Sequence, residues 1–292
     1  MFCASTESGV RAFQSARGLD PTGRCDERTW AALVESNWTL GDRLLMLRSP
    51  NLRGDDVADL QARLARLGFD CGKVDGIFGP HTAGAFERFQ RNCGLVADGV
   101  CGPDSVRLLD RLALQTGHGP GIAMLREGEV FRATTLTLDR CRVVVGQFGG
   151  LSSVARIVAR QLRSAGALVV PLDEPDALSQ AQTANAFEAD VYVGLAAGEE
   201  PGALVAYYAV PAFESVAGKA LATRLAAALT SHGALRGASV DGRRLSILRE
   251  TRMPAVLCRI GDVREALDRA PALAAAISDA LNGWIALRTV NN

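Results

Sequence analysis

The sequence predicts an α + α/β chain: small three-helix bundles, the first one truncated, followed by an α/β domain with a mixed sheet flanked by helices. Three observations predict it. A block near the start recurs later without a gap, apolar strands alternate with amphipathic helices from about Cys141, and a glycine- and proline-bearing stretch lies between. The expected domains are a truncated repeat at 1–36, a complete one at 37–112, a linker at 113–139 and the α/β domain at 140–289.

The repeat is the first element to justify. FCASTESGVRAFQSARGLDPTGRCDERTWAAL (Phe2 to Leu33) aligns at an offset of 76 with FGPHTAGAFERFQRNCGLVADGVCGPDSVRLL (Phe78 to Leu109). The shared pairs are Phe2/Phe78, Thr6/Thr82, Phe13/Phe89, Gln14/Gln90, Gly18/Gly94, Leu19/Leu95, Gly23/Gly99, Cys25/Cys101 and Leu33/Leu109. The second copy has an extra leading helix, in which Val57, Leu60, Leu64 and Leu67 follow helical spacing, Asp56 caps the start and Gly68 stops it. Asp75-Gly76 and Asp98-Gly99 read as tight turns, because glycine takes positive φ without a steric penalty. Thr82 is placed to cap a helix through Ala85, Phe86, Phe89 and Gln90, and Asp104 or Ser105 to start a short last one. The first copy lacks the leading helix, which leaves Val10, Phe13 and Trp30 uncovered. Either the chain starts further upstream, or NWTLGDRLLMLRSP (Asn37 to Pro50) folds back over them.

LALQTGHGPGIAMLREGEV (Leu112 to Val130) reads as a linker. Beyond it, CRVVVGQ, ALVVPL, ADVYVGLA, ALVAYYA and PAVLCRI read as strands, with a weaker one near RRLSIL. Apolar spacings of three and four predict helices over Ser152–Ser164, Asp176–Glu188, Phe213–Ser231 and Asp262–Leu287, with Gly166 and Gly233 closing two of them. Ser152 and Ser153 are placed to cap the first of these, and Asp262 and Glu265 to open the last.

Composition excludes several functions. Of 292 residues, 32 are Lys or Arg and 32 Asp or Glu, so no net charge draws the whole protein to nucleic acid or an anionic membrane, and only local patches could. No apolar run is long enough to span a bilayer. The seven cysteines are scattered, with no C-x-x-C, and Cys141 and Cys258 fall in apolar runs as small buried hydrophobes. Free thiols without a secretory signal predict the cytoplasm. The turn in RVVVGQFGGLSSVARIV has no lysine and is no nucleotide loop. His81, His118 and His232 are dispersed, so no metal or other cofactor is expected.

The string LQARLARLGFDCGKVDGIFGPHTAGAFERFQRNCGLVADGVCGP resembles the bacterial peptidoglycan-binding domain, a three-helix module with L-Q-x-x-L, D-G-x-F-G-x-x-T, F-Q and D-G-x-x-G in order. The resemblance implies contact with a peptidoglycan fragment or precursor, and makes Asp75, Phe78, Thr82, Gln90 and Asp98 candidate binding residues. The alternative is a scaffold with no sugar contact. From residue 140 to about 288, TANAFEADVYVGL, AYYAV and RMPAVLCRIGDV resemble the zinc-dependent N-acetylmuramoyl-L-alanine amidases, which cleave the sugar–peptide amide of peptidoglycan. The whole order is similar to an actinobacterial subgroup of amidase-like cell-wall regulators, which implies a peptidoglycan-synthesis protein as an alternative partner.

That chemistry needs two histidines and a carboxylate on zinc, plus a carboxylate base. The resemblance places Phe148 and Ala196 at the histidine positions and Arg259 at the base; the loop carrying the zinc glutamate is missing after Gly150. Phenylalanine and alanine offer a metal no lone pair, and arginine accepts no proton. The expectation is therefore a catalytically inactive amidase-like protein that binds peptidoglycan, its precursors or a partner protein and regulates cell-wall biosynthesis. The competing expectation is an active amidase with an unconventional site. Arg259 either grips a carboxylate or phosphate or pairs with a nearby Asp or Glu.

Overall fold

The computed structural model describes residues 3–113, 121–134, 136–198, 202–235 and 237–288. The chain divides into two compact units, Met1–Arg126 with Val210–Phe213, and Glu127–Ala209 with Glu214–Asn292.

The first unit begins with helices α1 (Ala4–Ala16) and α2 (Glu27–Ser36); Asp26 caps α2 by accepting from the Thr29 amide at 2.8 Å. Helices α3 (Asp55–Arg66), α4 (Pro80–Asn92) and α5 (Pro103–Ala113) follow. Val57, Leu60 and Leu64 of α3 are fully buried in one cluster with Phe78, Phe86, Phe89 and Leu109. Each such side chain contributes roughly 1.5–3 kcal/mol of burial. The first repeat has no counterpart to this cluster: the buried side chains of α1 and α2 are Gln14 and Thr29. The segment from Asn37 does not fold back over it. Leu45 bridges Cys101 and Leu52 is buried in the second module, while Trp30 stays 63% exposed.

Two expected caps are corrected. Gly54, not Asp56, precedes α3; Asp56 lies inside the first turn, where its buried carboxylate takes the Arg43 guanidinium at 2.7 Å. Thr82 is the third residue of a helix opened by Pro80, and its hydroxyl turns inward to the Gln61 amide. The last helix opens at Pro103, ahead of Asp104 and Ser105. Residues expected to be linker form helix α6 (Ile122–Ala133), where Ala, Met, Leu, Arg and Glu outweigh the glycines before them.

The second unit contains β1 (Arg142–Phe148), α7 (Ser152–Ser164), β2 (Leu168–Leu172), α8 (Ala177–Ala186), β3 (Val191–Ala197), β4 (Ala203–Val210), β5 (Phe213–Glu214) and α9 (Val216–Ser231). It continues through β6 (Ala238–Arg243), α10 (Ser246–Glu250), β7 (Ala255–Ile260), α11 (Val263–Asp268) and α12 (Ala270–Ala286). The sheet order is β2-β1-β3-β7-β4-β5, with β6 beside β4. Pairs β1–β2, β1–β3, β3–β7 and β4–β6 are parallel, and β4–β7 is antiparallel, so the sheet is mixed as expected. Val143 and Val145 of β1 and Val191, Val193 and Leu195 of β3 join Val158, Leu225, Leu281 and Trp284 in one core. Gly146 turns the other way, toward Gln180 of α8.

Three predicted elements shift. The strand expected near RRLSIL ends at Arg243, and Ser246–Glu250 is helical, since the adjacent Ile247 and Leu248 are both buried rather than alternating. The last helix breaks at Arg269, because Pro271 has no amide to continue the ladder. Phe213 and Glu214 form a short strand, and Ser215 caps α9 by accepting from the Gly218 amide at 3.1 Å.

Candidate functional site

Strand β1 leads through α7 to β2 on one side, and β2 returns through α8 to β3 on the other. The gap between the carboxyl ends of β1 and β3 is therefore a topological switch point, the usual ligand position in α/β sheets. Phe148 lies opposite Ala196 across β1–β3, and Ala196 opposite Arg259 across β3–β7. In-register side chains on neighbouring strands share a face at about 5 Å. The three residues singled out from scattered motifs thus form one row. Leu204 of β4 continues it beyond Arg259.

The row beneath consists of Gly146, Gly194 and Leu257. Tyr192 and Gln180, both fully buried, fill the space that the two glycines leave. Tyr192 donates its hydroxyl to Gln180 Oε1 at 2.6 Å, and Gln180 Nε2 donates to the Gln147 carbonyl at 3.0 Å. Gln147 in turn accepts the Leu151 amide at 2.8 Å and donates to Asp173, which also accepts from Ser152 at 2.7 Å. These bonds tie the glycine turn to the strand ends. They also correct the expected cap: Leu151 precedes α7, and Ser152 bonds Asp173 instead. Sequence reasoning missed this network, since a lone glutamine in an apolar strand carries no periodic signal.

The donor set does not suit a zinc ion: a benzyl ring, a methyl and a guanidinium supply it no ligand. Among the described residues, no group of three or more His, Cys, Asp or Glu could hold a metal. His81 lies on α4, His232 ends α9 at 3.4 Å from Asp279, and His118 lies outside the described residues.

In the modules the candidate binding residues are drawn into glutamine clamps. Gln90 Nε2 donates to Asp98 and the Val100 carbonyl, while its Oε1 accepts the Gly99 amide. Gln61 does the same for the other turn, donating to Asp75, the Ile77 carbonyl and Thr82 and accepting the Asp75 and Gly76 amides. Gln14 repeats it in the first copy, with Thr22, the Arg24 carbonyl, Thr29 and the Gly23 amide. Phe78, Thr82 and Gln90 are buried; Asp75 is half-buried and Asp98 exposed. Gln61 and Gln14 were not singled out as candidates, although the L-Q-x-x-L and F-Q patterns contain them.

The peptidoglycan binding domain family matches residues 1–33 and 53–109. The chain belongs to the N-acetylmuramoyl-L-alanine amidase family. It is similar to N-acetylmuramoyl-L-alanine amidase CwlM of Mycobacterium tuberculosis, at 33% identity over 314 aligned residues covering 96% of this chain and 77% of that protein. CwlL of Bacillus licheniformis, another N-acetylmuramoyl-L-alanine amidase, is 31% identical over 127 residues, 37% of this chain and 35% of that protein. Among solved structures, the amidase AmiC2 of Nostoc punctiforme aligns with 50% of this chain and 97% of its own at 19% identity and a TM-score of 0.41.

Proposed function

We propose that this protein is a catalytically inactive member of its family, which binds peptidoglycan or its precursors, or a protein of peptidoglycan synthesis, and regulates cell-wall biosynthesis from the cytoplasm. The observation that carries the reading is the row of Phe148, Ala196 and Arg259 at the switch point, in the positions that the resemblance gives to metal ligands and base. No step of metal-assisted hydrolysis can be written through these side chains. Arg259 is half-buried on that row and supplies a guanidinium for a carboxylate or phosphate of the bound molecule. In the helical modules, glycan contact falls to exposed groups such as Asp98, because Phe78, Thr82 and Gln90 are buried.

The second reading is an active amidase, favoured by the activity in the names of CwlM and CwlL. Purified protein incubated with muropeptides, with and without zinc, separates the two. Inactivity predicts no stem-peptide release above a heat-killed control. Release that rises with zinc establishes the amidase. Retention on insoluble peptidoglycan, set against co-purification with a protein, then distinguishes the two classes of partner.

A further inference from the structure

Helix α7 buries Val154, Ala155, Val158, Ala159 and Leu162 against the sheet and exposes Arg156, Arg160 and Arg163. At 3.6 residues per turn, these three arginines fall within an arc of about 60° and span about 10 Å along the axis. The helix carries no acidic residue. Arg156 reaches the Ser153 hydroxyl at 3.5 Å and Arg163 the Val169 carbonyl at 2.7 Å, both neutral acceptors. Carboxylates flank the helix at its ends, with Asp173 bonded to Ser152 at the start and Asp139 against Gly166 beyond the finish. α11 packs alongside and brings Arg264 with Glu265 and Asp268. Leu168, on the strand edge that Arg163 grips, is 57% exposed.

We infer that the arginine face of α7, with Leu168 beside it, is a docking surface for a bilayer of anionic lipid. A single phosphate on a peptide calls for guanidinium groups converging on one point; these are strung along a convex helix and fit a diffuse, planar field of charge. Nucleic acid fits less well, since the chain has no net charge to draw it. An exposed leucine beside the arginines adds what a soluble polyanion would not use, an apolar group that enters the headgroup boundary while the guanidinium groups stay at its surface. α7 starts immediately after the glycine turn that follows Phe148, so docking would hold the switch-point row close to membrane-borne precursors. That last consequence rests on the proposed function; the docking itself does not.

The test is co-sedimentation of the full chain with phosphatidylcholine vesicles containing or lacking phosphatidylglycerol, with no muropeptide present. Binding should require the anionic lipid, fall in high salt, and weaken about fivefold for each arginine replaced, reaching about a hundredfold in R156Q/R160Q/R163Q. R156Q/R160Q leaves the Arg163 contact intact and serves where the triple variant folds poorly; a Leu168→Ser change should weaken binding while leaving its salt dependence. Equal binding to neutral vesicles, no binding to either, or unchanged binding by the double variant overturns the inference. So does capture by a single-stranded oligonucleotide in preference to vesicles. None of these outcomes bears on muropeptide hydrolysis.

Discussion

Gln90 shows how one buried amide can carry a module. Both ends of its side chain are engaged, so Gln90→Leu strands the Gly99 amide and the Val100 carbonyl. A buried unpaired polar group costs about 1–3 kcal/mol. The variant should lose roughly 2–4 kcal/mol, measured as a lower urea midpoint with native-like helicity before the transition. The thiols divide by environment in the same way. Hydrogen bonds from the Ser5 and Thr6 hydroxyls lower the exposed Cys3 thiol to about 6, whereas burial pushes Cys71, Cys101, Cys141 and Cys258 up to about 12. Brief alkylation at pH 7, followed by mass spectrometry, should label Cys3 first and leave those four unmodified until the chain is unfolded.

At the scale of elements, strand register makes a prediction that sequence spacing could not. Because Phe148 and Ala196 are direct partners on parallel strands, Phe148→His with Ala196→His should create a two-imidazole zinc site, absent from the parent and detectable by metal analysis after dialysis. Amidase activity should not return, since Arg259 still stands at the base position and the glutamate loop is missing. The turns predict a pH dependence. Asp98 is held below the usual carboxylate range by the Val100 amide and then the Gln90 side chain, and Asp26 by the Thr29 amide that it caps. A depressed folded-state value means that stability is fully present above the unfolded value, about 4, and is lost as pH falls through the folded one. The urea midpoint should therefore decline below about pH 4, with a shallower decline in Asp98→Asn.

Across the whole molecule, stability is distributed unevenly. The second module has a cluster of buried Leu and Phe, while the first repeat holds its turn with the Gln14 clamp and the Arg17–Asp55 pair at 2.6 Å. Amide exchange should be faster in α1 and α2 than in α3 and α4, by at least tenfold at matched pH. The repeat, both Asp-Gly turns and five strands were legible because each is a local pattern of apolar spacing or turn chemistry. What escaped was set by distant partners: Arg43 took Asp56 from its cap, Gln61 took Thr82, and the stretch from Asn37 spent its leucines on the second module. The row at the switch point was named residue by residue, yet only the pairing of β1, β3 and β7 brings it together. The clamps have one more consequence, for how the protein ages. An Asp-Gly bond isomerises when the glycine nitrogen attacks the aspartate side chain, but at Gly76 and Gly99 that nitrogen is engaged by a glutamine oxygen, and the neighbouring carboxylates are held by the Ile77 and Val100 amides. Folded protein in storage should accumulate isoaspartate at these two bonds far more slowly than its own denatured chain.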